Sequence, residues 1–69
     1  MLKKRSFTLS KHRTSVALEP EFWAVLAADA ARRGQSLSGL VAEIDRARGL
    51  RPLASALRLH ALAAARLRD

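Results

Sequence analysis

Three residues on alternate positions, Arg13, Ser15 and Ala17, carry the most specific chemistry in this sequence. The planar guanidinium of Arg13 presents a fork of donors that fits the O6 and N7 acceptors of guanine. The Ser15 hydroxyl can donate to or accept from several bases, and Ala17 offers only a methyl contact, suited to thymine. A second group lies at Ser36-Leu37-Ser38. If a helix begins there, the Ser36 hydroxyl and the free backbone N–H groups of Leu37 and Ser38 stand at the positive end of its dipole, where a phosphate would be held. Four further cations, Lys3, Lys4, Arg5 and Lys11, suit the phosphate backbone beside a groove or a neighbouring minor groove.

Other chemistries lack such a set. No nucleophile stands with a base and an orienting group, and no glycine-rich phosphate loop is present, so an enzyme is not expected. With no cysteine and only His12 and His60, far apart, neither a metal site nor any other cofactor is expected. The adjacent Phe22 and Trp23 open a helical pattern, which assigns them to a core or dimer seam rather than to base stacking. No uncharged apolar run approaches the roughly 18 residues of a membrane span, and no secretory h-region follows Lys3-Lys4-Arg5. The expectation is a soluble, cytoplasmic protein.

The net charge of +7 is unevenly spread. Residues 1–18 carry five cations and no acid, residues 19–45 carry five acids against Arg32 and Arg33, and residues 46–69 carry six arginines against Asp69. Two basic ends around a mildly acidic middle suit a polyanion, either nucleic acid or an anionic membrane surface.

The elements that must position these residues follow from periodicity. Residues 1–12 read as a basic arm whose Ser6-Phe7-Thr8-Leu9-Ser10 is compatible with a loose strand. Residues 13–18 form a better defined strand, with Thr14, Val16 and Leu18 on one face and Arg13, Ser15 and Ala17 on the other. Pro20 announces a first helix over 20–33, with Glu19 and Glu21 complementing its dipole and Gly34 ending it. Ser36 caps a second helix over 36–48, accepting from the N–H of Ser38 or Gly39, and Gly49 stops it. A third helical pattern runs from Pro52 to about Arg68, and its leucines and alanines extend beyond one stripe. It either packs on more than one neighbour or offers a surface to another protein. A single short strand finds no obvious partner in so short a chain, and 69 residues bury little apolar surface, so the strand is expected to pair with a second copy.

Strand, short helix, glycine turn and Ser-capped helix over residues 13–48 resemble the ribbon-helix-helix family of bacterial DNA-binding proteins. The resemblance rests on Arg13-Thr14-Ser15-Val16-Ala17-Leu18, on the spacing from Leu18 through Leu26 to Gly34, and on Gly34-Gln35-Ser36-Leu37-Ser38. Lys4-Arg5-Ser6-Phe7-Thr8, His12-Arg13-Thr14-Ser15-Val16, Leu18-Glu19-Pro20-Glu21-Phe22-Trp23 and Val41-Ala42-Glu43-Ile44-Asp45 look more closely like one compact branch of it.

The resemblance implies a mainly α protein with one short β-strand per chain, in which two chains pair antiparallel into one intermolecular ribbon. Its division is an arm (1–12), the ribbon-helix-helix domain (13–49) and a C-terminal helix (50–69) packing on the domain or dimer. Val16, Leu18, Phe22, Trp23, Leu26, Leu40, Val41 and Ile44 would make the core of an intertwined homodimer. The ribbon would enter the major groove, with Arg13, Ser15 and Ala17 at the bases and Lys3, Lys4, Arg5, Lys11, Ser36, Leu37 and Ser38 at phosphates. Ala17 departs from the family pattern, where the third outward position is more often polar. The function implied is sequence-selective binding of double-stranded DNA by a transcriptional repressor or autoregulator at the nucleoid, with neighbouring dimers able to cooperate. The alternative is an antitoxin-like or adaptor module that grips a protein partner through its C-terminal helix.

Overall fold

The strand around residues 13–18 forms, but its partner is in the same chain. The computed structural model describes residues 1–67 and contains β1 (Lys3–Leu9), β2 (His12–Leu18), α1 (Pro20–Arg32), α2 (Leu37–Ala47) and α3 (Leu53–Leu67), in that order. The two strands pair antiparallel from Lys3↔Leu18 to Leu9↔His12, joined by Ser10 and Lys11. Both joining residues have positive φ, 50° and 69°, the pair of signs that defines a type I′ turn and matches the twist of a hairpin.

The first twelve residues, expected as an arm, thus supply the strand that was expected from a second copy. The physical reason is the apolar half of β1. Phe7 and Leu9 are buried beside Val16 and Leu18, and the Phe7 ring lies 5.8 Å from that of Trp23 on α1. The Trp23 indole N–H also donates to the Lys3 carbonyl at 2.7 Å, which ties the start of β1 to the helical body. A two-residue connection brings β1 into place at small entropic cost, whereas a second copy must be recruited from solution.

Glu19 precedes α1 in extended conformation and Pro20 occupies its first turn. At the other end Gly34 adopts φ +70°, and the N–H of Gln35 reaches back to the Ala30 carbonyl at 2.9 Å, closing the helix with a left-handed residue. The Ser36 hydroxyl accepts from Gly39 N–H at 3.0 Å and starts α2. Gly49, at φ +62°, follows the end of α2, and the Arg48 guanidinium donates to the Arg51 carbonyl at 2.7 Å across the connection to α3. The expected end of the third helix near Arg68 lies outside the described residues.

α3 packs on α1, α2 and β2, while α2 also meets β1. Leu18, Leu26, Leu40, Val41 and Leu57 are fully enclosed, one or two from each element except β1. The chain exposes 4713 Å², close to the roughly 4,300 Å² of an average folded monomer of this mass. Of the residues expected in a dimer core, Val16, Leu18, Trp23, Leu26, Leu40, Val41 and Ile44 are buried within the chain and Phe22 is packed against them.

A buried charge joins α1 to α3. Asp29, only 4% exposed, accepts from Arg32 Nη2 at 2.6 Å and Arg33 Nε at 2.9 Å, and its Oδ2 lies 2.8 Å from His60 Nε2. The His60 contact holds the Asp29 carboxyl below its usual range, with the two guanidiniums adding to it and burial opposing it.

Candidate nucleic-acid interface

The hairpin register decides which side chains share a face. Cross-strand partners lie on the same side of a sheet, so Lys4 with Ala17, Ser6 with Ser15 and Thr8 with Arg13 line the face turned away from the helices. All are exposed except Ala17, which is half-buried. The Ser6 and Ser15 hydroxyls lie 2.9 Å apart, a hydrogen bond that marks the centre of this face. The face contains two cations and three hydroxyls within two short strands, with no acid and no large apolar group.

Arg13, Ser15 and Ala17 therefore stand together, as the alternation of β2 requires. Two further hydroxyls, Ser6 and Thr8, join them from β1, and sequence reasoning did not assign them a role. Their signal was the alternation of residues 6–10, whose polar positions acquire a direction only once the register is known.

The four cations expected to work as one group are divided by the pleat. Lys4 lies on the outward face. Lys3 and Arg5 alternate to the other side, where the Arg5 guanidinium sits 5.8 Å from the centre of the Trp23 ring, within the range of a cation–π contact. Lys11 occupies the turn at the tip of the hairpin. At the start of α2, Ser36 is engaged as a cap, which leaves the first-turn N–H groups of Leu37 and Ser38 without intrahelical carbonyl partners.

Charge pairing separates the two ends of the molecule. In the helical body Asp29 binds Arg32 and Arg33, Glu43 lies 3.5 Å from Arg33, Asp45 pairs with Arg48 at 2.7 Å and Glu19 with Arg58 at 3.2 Å. Glu19 has its carboxyl held below the ordinary range by its own backbone N–H, aided by Arg58. Among the described residues none of Lys3, Lys4, Arg5, Lys11 and Arg13 pairs with an acid. Among the described residues no group of three metal-ligating side chains is brought together, and no helix is long and apolar enough to cross a membrane.

No match is found among curated proteins or solved structures. A family model described as the ribbon-helix-helix domain matches residues 2–65, a span that takes in β1, β2, α1, α2 and nearly all of α3. The matched domain takes in the first strand, where Lys4-Arg5-Ser6-Phe7-Thr8 already carried part of the resemblance, and extends past residue 48 into the third helix. Domains of this family are typically non-enzymatic, generally bind DNA and regulate transcription, and typically act as dimers. With a two-stranded antiparallel ribbon followed by its helices, this chain belongs to the ribbon-helix-helix domain family.

Proposed function

We propose that this protein is a sequence-selective DNA-binding repressor or autoregulator that lays the outward face of its hairpin in the major groove. The observation that carries the reading is the face itself: Lys4, Ser6, Thr8, Arg13 and Ser15, exposed and free of acid, on one side of a short antiparallel ribbon. Arg13 takes a guanine edge, Ser15 and the β1 hydroxyls accept or donate to neighbouring bases, and Ala17 contributes a methyl contact. Lys4 and Lys11, with the first turn of α2 at Ser36, Leu37 and Ser38, fix the register on phosphates. Lys3 and Arg5, on the other side of the pleat, serve the flanking backbone less directly.

The active species in this reading is a homodimer. Val16, Leu18 and their neighbours are buried within one chain, and the proposed seam lies at the strand edge. The two-stranded sheet leaves β2 with one edge that has no strand partner, and a free edge is a template for pairing. Antiparallel pairing of β2 with its two-fold mate makes the two β2 strands the central ribbon of groove width, with each β1 at a margin of the groove, and places the two Arg13 side chains about a common axis. Neighbouring dimers on DNA would add cooperativity. The setting is the bacterial cytoplasm, at the nucleoid.

Selection of bound sequences from a random DNA pool tests the reading. Wild type should enrich a palindromic site, and Arg13→Ala should lose preference for guanine at one position in each half, about 10- to 100-fold in relative affinity. With Lys4 and Lys11 of each chain on phosphates, affinity should drop by about 100-fold between 50 and 200 mM salt. Binding that is indifferent to sequence, or an Arg13→Ala variant that selects the same site equally well, would reject it.

A further inference from the structure

The third helix presents apolar residues to water. Ala56, Leu57, Ala61 and Ala64 bury one side of α3, yet Leu59 and Leu62 on the opposite side remain 46% and 52% exposed. At helical spacing they align with Ala63 and Arg66, a stripe where a solvent-facing helix normally carries charge. Leu50 and Leu67, near the two ends, are also exposed. Beside the stripe, a shallow cleft of about 390 Å³ opens between the end of α2 and α3, floored by Ile44, Ala47, Ala56 and Leu59 and rimmed by Arg48, Arg51 and His60.

The charges around this surface distinguish its occupants. Arg48 is already held by Asp45 and by the Arg51 carbonyl, both at 2.7 Å. The guanidiniums of Arg51 and Arg66, by contrast, pair with no acid among the described residues, and the sequence of α3 contains none. A second copy laid on this stripe would bring arginines against arginines in a chain of net charge +7. A partner helix with leucine-like residues on one side and carboxylates at its margins meets both the apolar stripe and the unpaired cations.

We propose that the exposed face of α3 together with the connection before it, from Arg51 to Arg66, is a docking surface for an acidic amphipathic helix of a partner protein. At 1.5 Å per residue that stretch accepts a helix of about 15 residues. Apolar side chains of the partner pack on Leu59, Leu62 and Ala63 and enter the cleft beside Ile44, while its acids reach Arg51 at one end and Arg66 at the other. The surface uses none of the residues assigned to DNA, so the inference stands or falls separately from the DNA-binding reading.

The test titrates the full chain with a synthetic 16-residue helical peptide carrying leucines at i, i+3 and i+7 and glutamates at the flanks, with a lysine-flanked peptide as counterpart. The glutamate peptide should bind at least about tenfold more tightly than its counterpart. Leu62→Gln should weaken it by a similar factor. Arg51→Gln, in the exposed connection, should weaken it without touching the core and serves as the second variant should Leu62→Gln fold poorly. Binding of DNA should be unchanged in both variants. Equal affinity for the two peptides, or indifference to both substitutions, would overturn the proposal. So would an oligomer in sedimentation equilibrium that dissociates on Leu62→Gln, which would make a second copy the occupant. Binding of anionic phosphatidylglycerol vesicles that is lost in the same variant, with no peptide binding, would overturn it in favour of a membrane.

Discussion

The hairpin and the helical body treat charge in opposite ways. In the body, four of the five acids find cations, and the most buried of them, Asp29, gathers Arg32, Arg33 and His60 around one carboxylate. In the hairpin, five cations have no acid at all, and hydroxyls fill the intervening positions of its outward face. A sheet of only two strands has no interior of its own, so one face must lean on the helices and the other is left to chemistry. The division teaches that the hairpin holds positive charge with no internal counter-charge, whereas in the body nearly every acid sits beside an arginine. The cations unpaired among the described residues of the body, Arg51 and Arg66 among them, lie outside those pairs.

Trp23 is where the two regions meet, and its removal should have the largest effect. It contacts Phe7, lies under Arg5 and donates to the Lys3 carbonyl. Trp23→Ala should cost about 3–5 kcal/mol in urea unfolding. Loss of DNA binding should follow the unfolding curve. Trp23→Phe keeps most of the ring and removes the indole donor, for a cost of about 1 kcal/mol. Two separate transitions in Trp23→Ala, with the hairpin melting first, would show that hairpin and body are not one cooperative unit.

Asp29 probes the body alone. Asp29→Asn should destabilise by about 2 kcal/mol, because the charge-assisted bonds weaken while Arg32 and Arg33 can turn to water. The pH dependence has a defined sign. The folded-state pKa of Asp29 is depressed, so its contribution is fully present above the usual carboxylate range and is lost as pH falls through the depressed value. Thermal unfolding from pH 6 to pH 2 should show a steeper acid decline in wild type than in Asp29→Asn. Below its unfolding temperature at neutral pH, the variant should still select the same DNA. A change of selected sequence would mean that the charge cluster reaches the hairpin.

Legibility in the sequence followed the same boundary. α1 and α2 could be read because their stops are local: Pro20 and Gly34 bracket one, and Ser36 and Gly49 bracket the other, with the Ser36 cap closing on Gly39, one of its two candidate donors. The outward face of β2 was readable for the same reason, since alternation alone separates Arg13 and Ser15 from Val16 and Leu18. β1 was not. Three consecutive cations mask its first half, only Phe7 and Leu9 mark its apolar side, and Ser10-Lys11 lacks the glycine or asparagine that usually announces a two-residue hairpin. The Asp29–His60 contact spans 31 residues of sequence, and no spacing rule connects a helix-interior acid to a histidine two elements away.

That unannounced turn supplies a prediction with two signs. Ser10 and Lys11 both hold positive φ without being glycine, a conformation that carries strain for a residue with a Cβ. Lys11→Gly should therefore stabilise the hairpin by about 1 kcal/mol, seen as a higher unfolding midpoint. The same change removes one cation per chain from the tip and should reduce the salt slope of DNA binding by about one per chain. Greater stability with unchanged salt dependence would place Lys11 away from the phosphates and confine contact to the strands.

The smallest effect on stability is expected at Ser6, and it asks how much of the outward face reads DNA. Ser6→Ala breaks only the exposed hydroxyl pair with Ser15, so unfolding should shift by no more than about 0.5 kcal/mol. Recognition is another matter. In free protein the Ser15 hydroxyl is shared with Ser6, and the partnership orients it. Without Ser6 the Ser15 hydroxyl rotates freely, and the β1 strand loses its central donor. Sequence selection with Ser6→Ala should then relax preference at one base pair per half-site while leaving the guanine opposite Arg13 unchanged. If the selected site is identical to that of wild type, base reading belongs to β2 alone and β1 serves only to complete the ribbon and its core.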